Sequence, residues 1–249
     1  NMKKLILIAA ALLVSASFAF AEEKSNTLSW DRLPDLPDTE GFAGVFAGVV
    51  HDANKNDDYL VVAGGANFPQ GRPWEKEKNP KKIYYKSIYR LKLTTENPEW
   101  ELLPDELPHE VGYGMSVTLA KRGSTLFIGG KHQEAFADVW EIGLDGTGAI
   151  ACSPRVKLDL PLAEGAVGLI GEKVVVVGGV TNSQGGGFET VQEAYVLDTS
   201  KEEGEWKWES LPWPKMKDGT PARGRAYAVS AVKGDKFYLF GGRDQASSG

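Results

Sequence analysis

A pair of glycines ends an apolar run four times in this chain, and this repeat restricts the possible folds more than any other feature. The pairs close the segments LVVAGG, LFIGG, VVVVGG and FYLFGG, at Gly64-Gly65, Gly129-Gly130, Gly178-Gly179 and Gly241-Gly242. Each is preceded by a segment rich in small residues, and a short polar turn (HDANKNDD, KRGS, GEK or KGDK) joins the two. Two apolar runs around such a turn predict a β-hairpin.

Two further strand-like segments follow each of the first three hairpins, for example SIYRLKL and PEWELLPDELP after the first. Units of four strands that recur every 40–60 residues or so are typical of a β-propeller, in which each blade buries its faces against its neighbours. The glycine pairs are then architectural, because glycine allows close approach of two chains. Large aromatic residues recur downstream and are expected to pack between blades: Tyr89, Trp100, Trp140, Tyr195 and Trp208.

The alternative interpretation of the first glycine pair is a phosphate-binding loop. That loop needs Gly-x-x-x-x-Gly-Lys-Ser/Thr, and no glycine stands at this spacing before Lys-Ser or Lys-Thr. The dinucleotide pattern Gly-x-Gly-x-x-Gly is absent as well. The sequence therefore argues against nucleotide binding.

The N-terminus carries the pattern of a cleaved signal peptide over residues 1–21, with the mature chain beginning near Glu22. This predicts a periplasmic or secreted protein without a membrane anchor. Without Lys3 and Lys4, 26 basic residues face 34 acidic ones, a net charge of −8 that argues against nucleic acid as a partner. The single Cys152 and three scattered histidines give no metal or cofactor signature, and Cys152 is interpreted as a packing residue.

The glycine-pair strands with downstream Tyr and Trp resemble kelch repeats. The segments GFAGVFAGVV…LVVAGGANFPQGRPWEKEKNPKKIYYKSIYRL and GRAYAVSAVKGDKFYLFGG resemble more specifically the N-acetylneuraminate (sialic acid) mutarotase family, also called N-acetylneuraminate epimerase, in its cyclically permuted branch. The resemblance implies an exported six-bladed propeller that interconverts the α and β anomers of sialic acid by acid–base ring opening. It also implies a catalytic glutamate–arginine pair in a late blade, to which no residue here can be assigned.

Counting the repeats predicts an all-β, kelch-type β-propeller domain over 22–249, as an incomplete arc of about three and a half blades. The blades are expected at about 41–107, 110–161 and 162–213, with a half blade at 224–249. The segment LSWDRLPDLP is expected to form the outermost strand of the last blade, with partner strands that would lie beyond Gly249. On this count the chain is an N-terminal fragment that lacks the catalytic blade and is itself inactive.

Cations and polar groups in the loops are the candidate ligands of a sugar carboxylate, because arginine binds a carboxylate through two hydrogen bonds. Glu164, which opens the third blade, is the candidate catalytic acid or base. Tyr113 and Tyr227 are interpreted as core aromatics, and His132 as a surface residue. The predicted substrate-binding residues are Arg72, Asn67, Tyr84, Arg225 and Arg243.

Two other functions compete with the mutarotase. One is a non-catalytic kelch module that binds a glycan or a protein through the same face. The other, a galactose-oxidase-like copper enzyme, needs histidine and tyrosine ligands, and the three scattered histidines argue against it. The exact sugar and the oligomeric state stay open at this point.

Overall fold

The computed structural model of the protein describes residues 29–245 and contains strands, turns and two short 3₁₀ helices, Lys76–Lys78 and Glu203–Glu205. The chain divides into two compact units, 1–33 and 34–249. Residues 29–33, the described part of the first unit, form no helix or strand. The predicted signal peptide and its cleavage point at Glu22 lie outside the described residues. Within the described range, no helix is both long enough and apolar enough to span a membrane.

The second unit contains three four-stranded antiparallel sheets that follow one another along the chain. The first sheet contains β1 (Phe46–Asp52), β2 (Asp57–Ala63), β5 (Ser87–Lys92) and β6 (Trp100–Glu106). The second contains β7 (Met115–Leu119), β8 (Ser124–Ile128), β9 (Val139–Leu144) and β10 (Ile150–Pro154). The third contains β11 (Ala166–Ile170), β12 (Lys173–Val177), β15 (Ala194–Asp198) and β16 (Trp208–Ser210).

Three two-stranded ladders complete the unit. The hairpin of β17 (Val229–Lys233) and β18 (Lys236–Phe240) follows the third sheet. Short ladders extend from the first and third sheets: β3 (Ala66–Asn67) with β4 (Ile83–Tyr84), and β13 (Val180–Asn182) with β14 (Phe188–Thr190). These sheets and the hairpin confirm the predicted all-β propeller fold.

Consecutive sheets pack face to face, which explains the apolar strands. All five residues of β8 are buried because both of its faces are covered. Phe127 packs toward the first sheet, where its ring stacks on Phe46 at 4.9 Å between centroids. Leu126 and Ile128 join the core shared with the third sheet. A strand covered on both sides reads as a continuous apolar run rather than as an alternating one.

Aromatic packing between sheets is confirmed for three of the predicted residues. Trp140 lies in the core between the first and second sheets, and Tyr195 and Trp208 lie in the core between the second and third. Trp100 differs, because it lies on the edge strand β6, is partly exposed, and donates its indole N–H to the carbonyl of Pro34 at 2.9 Å. Cys152 is half-buried against the first of these cores.

The first strands of neighbouring sheets lie side by side, and hydroxyl groups satisfy their edges. Ser116 and Thr118 on β7 accept hydrogen bonds from the backbone N–H groups of Ala47 and Val49 on β1, each at 3.1 Å. Ser230 on β17 donates to the carbonyl of Val167 on β11 at 2.8 Å. Unpaired strand edges are a liability in β proteins, and these side chains use some of the free backbone groups.

Residues 29–37 of the segment LSWDRLPDLP carry no strand. A strand is defined by the ladder it forms with a partner, and the predicted partners of this segment lie outside the described residues. Its role as an outermost strand stays a prediction.

Candidate functional site

One residue near the start of each first strand has a left-handed backbone, and the four residues form a chain of hydrogen bonds. Gly44, Tyr113, Glu164 and Tyr227 each stand two residues before a first strand, with φ of 66°, 61°, 55° and 58°. The N–H of Tyr113 donates to the carbonyl of Gly44 (2.6 Å), that of Glu164 to Tyr113 (2.8 Å), and that of Tyr227 to Glu164 (2.9 Å). A positive φ is costly for a residue with a side chain and often marks a functional site.

Two of the four positions that directly follow a glycine pair carry a cation, and each of these cations lies beside a residue with a left-handed backbone. The four positions are occupied by Ala66, Lys131, Val180 and Arg243, and each residue pairs through its backbone with the residue that precedes the left-handed one. Lys131 Nζ lies 3.3 Å from Glu164 Oε1. Arg243 Cζ lies 4.1 Å from the centroid of the Tyr227 ring.

The long segment after the first glycine pair contributes a third cation and a tyrosine. The pairing of β3 with β4 places Tyr84 opposite Ala66. Lys82 Nζ lies 4.1 Å from the centroid of the Tyr113 ring and 5.3 Å from that of Tyr84. Tyr84 also packs on His132, with 4.5 Å between ring centroids. Phe188 on β14 provides another aromatic face, 4.7 Å from Lys131 Nζ.

We call these residues the cation–aromatic cluster: Lys82, Tyr84, Tyr113, Lys131, His132, Glu164, Phe188, Tyr227 and Arg243. It contains three permanent or nearly permanent cations and one carboxylate. Cations over aromatic rings are held in place by the ring quadrupole. The excess of positive charge suits an anionic ligand, and the ring faces suit an apolar sugar face.

Burial shifts the proton affinities inside the cluster. The side chain of Glu164 is only 15% exposed, and burial raises its pKa above the usual range, against the opposing charges of Lys131, Lys82 and Arg243. Burial lowers the pKa of Lys82, and the charge of Lys131 lowers it further. Burial raises the pKa of Tyr84 to about 12, so its hydroxyl is a neutral donor near pH 7. Burial and the neighbouring cations thus act in opposite directions on the pKa of Glu164.

Three of the predicted site residues meet in this cluster: Glu164, Tyr84 and Arg243. Tyr113 and Tyr227, interpreted from the sequence as core aromatics, line the cluster, and His132 is half-buried beside Tyr84.

The other three predicted residues lie outside the cluster. Asn67 is buried and holds the preceding loop, with its amide nitrogen 3.0 Å from the carbonyl of Gly41. Arg72 Nη1 pairs with Glu40 Oε2 at 3.0 Å. The exposed Arg225 points Nη1 toward the carbonyl of Gly242 at 3.4 Å. Ligand contact by Asn67, Arg72 and Arg225 stays a prediction.

Sequence reasoning missed Lys82, Lys131 and Phe188 as site residues, although a signal for Lys131 existed. Alignment of the four repeats on their glycine pairs places Lys131 at the same position as Arg243, which was selected. The position two residues before the first strand reads Gly, Tyr, Glu and Tyr, which would also have grouped Tyr113 and Tyr227 with Glu164. Nothing comparable exists for Phe188, because the corresponding ladder of the first repeat differs in length and sequence.

The described residues contain no group of three or more His, Cys, Asp or Glu side chains that could hold a metal ion. The three sheets, the hairpin and the repeated positions around the cluster define a β-propeller. A solved structure, that of YjhT, has this fold: it aligns with a TM-score of 0.59 and 17% identity, over 83% of this chain and 64% of that one.

The chain resembles N-acetylneuraminate epimerases, as its motifs predicted. The protein of that name from Pasteurella multocida (strain Pm70) is 33% identical over 116 residues, 42% of this chain and 28% of that protein. The one from Yersinia enterocolitica serotype O:8 / biotype 1B is 30% identical over 128 residues (46% and 29%). The one from Escherichia coli O157:H7 is 33% identical over 110 residues (43% and 27%). The chain thus aligns with less than a third of each relative's length, and no family model matches it.

Proposed function

We propose that this protein is an isomerase that interconverts the anomers of N-acetylneuraminate. The observation that carries the proposal is the buried Glu164 carboxylate, 3.3 Å from Lys131 and surrounded by Lys82, Arg243 and neutral tyrosines. This arrangement combines a proton-exchanging group with cations for a sugar carboxylate. The names of the three relatives support the choice of sugar. Export is part of the proposal and rests on the N-terminal signal pattern.

The reaction needs two proton transfers and no redox partner. One group protonates the ring oxygen while another accepts the proton of the anomeric hydroxyl, so the ring C–O bond breaks and the anomeric carbon becomes a ketone. Rotation and reclosure on the other face give the second anomer. General acid–base catalysis of this kind contributes about 10²–10⁴-fold. Within residues 29–245, Glu164 is the group placed for such a transfer, and Tyr84 is a hydroxyl donor beside it.

The substrate's own carboxylate is attached to the carbon that reacts, so a cation that binds it also positions the reacting centre. Lys82, Lys131 and Arg243 follow the first, second and fourth glycine pairs, and all three side chains lie in the cluster. The tyrosine rings offer faces for the apolar side of the sugar. Positioning of this kind supplies a large share of many enzymatic rate enhancements.

The test is the α-to-β conversion of N-acetylneuraminate followed by NMR, with the whole product of the gene. We expect the whole product to exceed the spontaneous rate and Glu164→Gln to reduce its excess rate by about 10²-fold or more. Glu134→Gln, an exposed carboxylate in a neighbouring loop, is the matched control and should leave the rate unchanged. A whole product that binds the sugar but leaves the rate at its spontaneous value would make the protein a non-catalytic binding module.

A further inference from the structure

The carboxylate of Glu164 pairs with Lys131, one of the three cations of the cluster. Lys131 and Glu164 form an ion pair in which the two side chains are only 11% and 15% exposed. Among the described residues, no carboxylate lies within ion-pairing distance of Lys82 or Arg243. Lys131 is therefore the cluster cation with an internal partner, and that partner is the candidate acid or base.

We propose that the carboxylate of the sugar acid displaces Glu164 from Lys131, so that each binding event carries one proton from solvent onto Glu164. The inference rests on the proposed function for the identity of the ligand, and it adds how the site is loaded with its catalytic proton. Lys131 is then a positioning residue: it holds Glu164 ionised in the free protein and releases it when the substrate arrives.

The charges that face Glu164 give the direction of the effect. Lys131 follows β8, Lys82 precedes Tyr84 of β4, and Arg243 follows β18; all three favour the ionised carboxylate. The remaining titratable groups of the cluster that face it are Tyr84, Tyr113 and Tyr227, together with His132 beside Tyr84. A bound carboxylate diverts one cation and adds a like charge nearby. Both changes disfavour the ionised form of Glu164, and burial already opposes that form.

The exchange keeps the proton balance of the reaction closed. Glu164 takes a proton from solvent on binding and gives it to the ring oxygen as the ring C–O bond breaks. The anomeric hydroxyl passes its proton to water as the ketone forms. On reclosure, water returns a proton to that oxygen and the Glu164 carboxylate takes back the proton of the former ring oxygen. This proton goes to solvent when the sugar leaves. A neutral sugar cannot displace Glu164 from Lys131 and therefore does not load the proton. The site should select sugar acids in the protonation step as well as in binding.

The experiment is isothermal titration calorimetry of the whole product with N-acetylneuraminate in buffers of different ionisation enthalpy, which gives the number of protons taken up per ligand bound. At pH values between the pKa of Glu164 in the free protein and its higher pKa in the complex, we expect uptake with a maximum approaching one proton. Uptake should fall toward zero on both sides of the maximum. Glu164→Gln should abolish it while binding persists, and Glu134→Gln should keep it.

The methyl ester of N-acetylneuraminate, which lacks the charge, is the matched ligand control and should bind more weakly and without proton uptake. Carboxyl-carbon NMR of the wild type gives an independent measurement, because the pKa of Glu164 must rise when the sugar acid binds. This second measurement decides the matter if Glu164→Gln fails to fold.

Each outcome separates the exchange from the proposed function. Proton uptake without a rate above the spontaneous one supports the exchange and overturns the isomerase. A rate increase without uptake, or uptake that is unchanged in Glu164→Gln, overturns the exchange and leaves the isomerase standing. Absence of binding by N-acetylneuraminate overturns both.

Discussion

At the residue scale, the first glycine of each of the first three pairs lies against the backbone of the next repeat. A Cβ added to Gly129 would lie 2.0 Å from the carbonyl oxygen of Leu162, and one added to Gly178 would lie 2.2 Å from that of Arg225. Both residues also have φ above +60°. The second glycine of the pair donates its N–H to the same carbonyl, at 2.8 Å from Gly130 and 2.7 Å from Gly179. The glycine pair thus lies at the contact between successive repeats.

Gly129→Ala should be strongly destabilising, and Gly241→Ala only mildly so. Gly129 and Gly241 have similar φ values, 61° and 65°. Among the described residues, however, no atom other than those of its chain neighbours lies within 4 Å of a Cβ placed at Gly241. The left-handed backbone costs each alanine about 1–2 kcal/mol. The clash with Leu162 adds about 1–3 kcal/mol at Gly129 alone. Urea unfolding followed by circular dichroism measures both, and equal losses for the two variants would contradict the close contact with Leu162 as the reason for the glycine.

At the element scale, a network of ion pairs around the buried Glu141 connects the second sheet to the 3₁₀ helix Glu203–Glu205, which precedes β16. Glu141 on β9 accepts from Arg122 Nε at 3.0 Å and from Arg155 Nε at 2.7 Å, and from the hydroxyl of Ser124. Both arginines also pair with Glu203 of that helix, and both guanidinium groups lie over the ring of Trp206. The network therefore joins consecutive sheets through charged side chains that pair with one another.

The network should make stability pH-dependent on the acid side. Burial tends to raise the pKa of Glu141, but hydrogen bonds from Arg122, Ser124 and Arg155 outweigh it, so the pKa lies below its usual value. The contribution to stability is therefore present above the unfolded pKa and is lost as the pH falls through the folded one.

Glu141→Gln should flatten the loss of stability below about pH 4.5, where the unfolded carboxyl takes up its proton. It should also lower stability near pH 7, because Arg122 and Arg155 lose their shared partner. The measurement is the urea midpoint as a function of pH, with Glu134→Gln as the exposed control. An acid-side slope in Glu141→Gln equal to that of the wild type would show that Glu141 is not its source.

At the scale of the whole molecule, one sheet face differs from its equivalents in the other repeats. Phe46, Met115 and Ala166 occupy the same position of the first strands and are buried by the following sheet or hairpin, whereas Val229 on β17 is 69% exposed. Tyr238 and Phe240 stack on the same exposed face, 6.3 Å between ring centroids. No described residue covers this face, and contiguous apolar surface of this kind promotes association.

The double substitution Val229→Lys with Phe240→Lys should reduce self-association of this chain, as measured by light scattering. It should also reduce binding of an apolar fluorescent dye. Stability should change little, because both side chains are exposed and surface substitutions usually cost within about 0.5 kcal/mol. Leu102→Lys on β6 is the control, an exposed leucine on another sheet, and should have a smaller effect. Unchanged dye binding in the double variant would show that the hairpin face is not the exposed surface that matters.

Much of the fold was predictable because it is written in local patterns. Alternating apolar residues, polar turns and paired glycines specify hairpins over short distances along the chain, and repetition of the unit specifies the propeller. The role of residues 29–37 as an outermost strand stays a prediction, because a strand is defined by a partner and no described residue supplies one. Within the candidate site, Glu164, Tyr84 and Arg243 were identified and Lys131 was not, although the repeats align it with Arg243.

The sequence by itself determined that this protein is a repeated β structure with paired glycines and with cations in its loops. Only the tertiary structure decided which of those cations meet. Arg72 and Arg225 are cationic side chains in loops, as Lys82, Lys131 and Arg243 are. The first two lie with Glu40 and the Gly242 carbonyl, while the other three converge near Glu164. The reason is that convergence depends on long-range backbone hydrogen bonds between successive units, from Gly44 to Tyr113, Glu164 and Tyr227, and no local pattern along the chain specifies which side chains those bonds bring together.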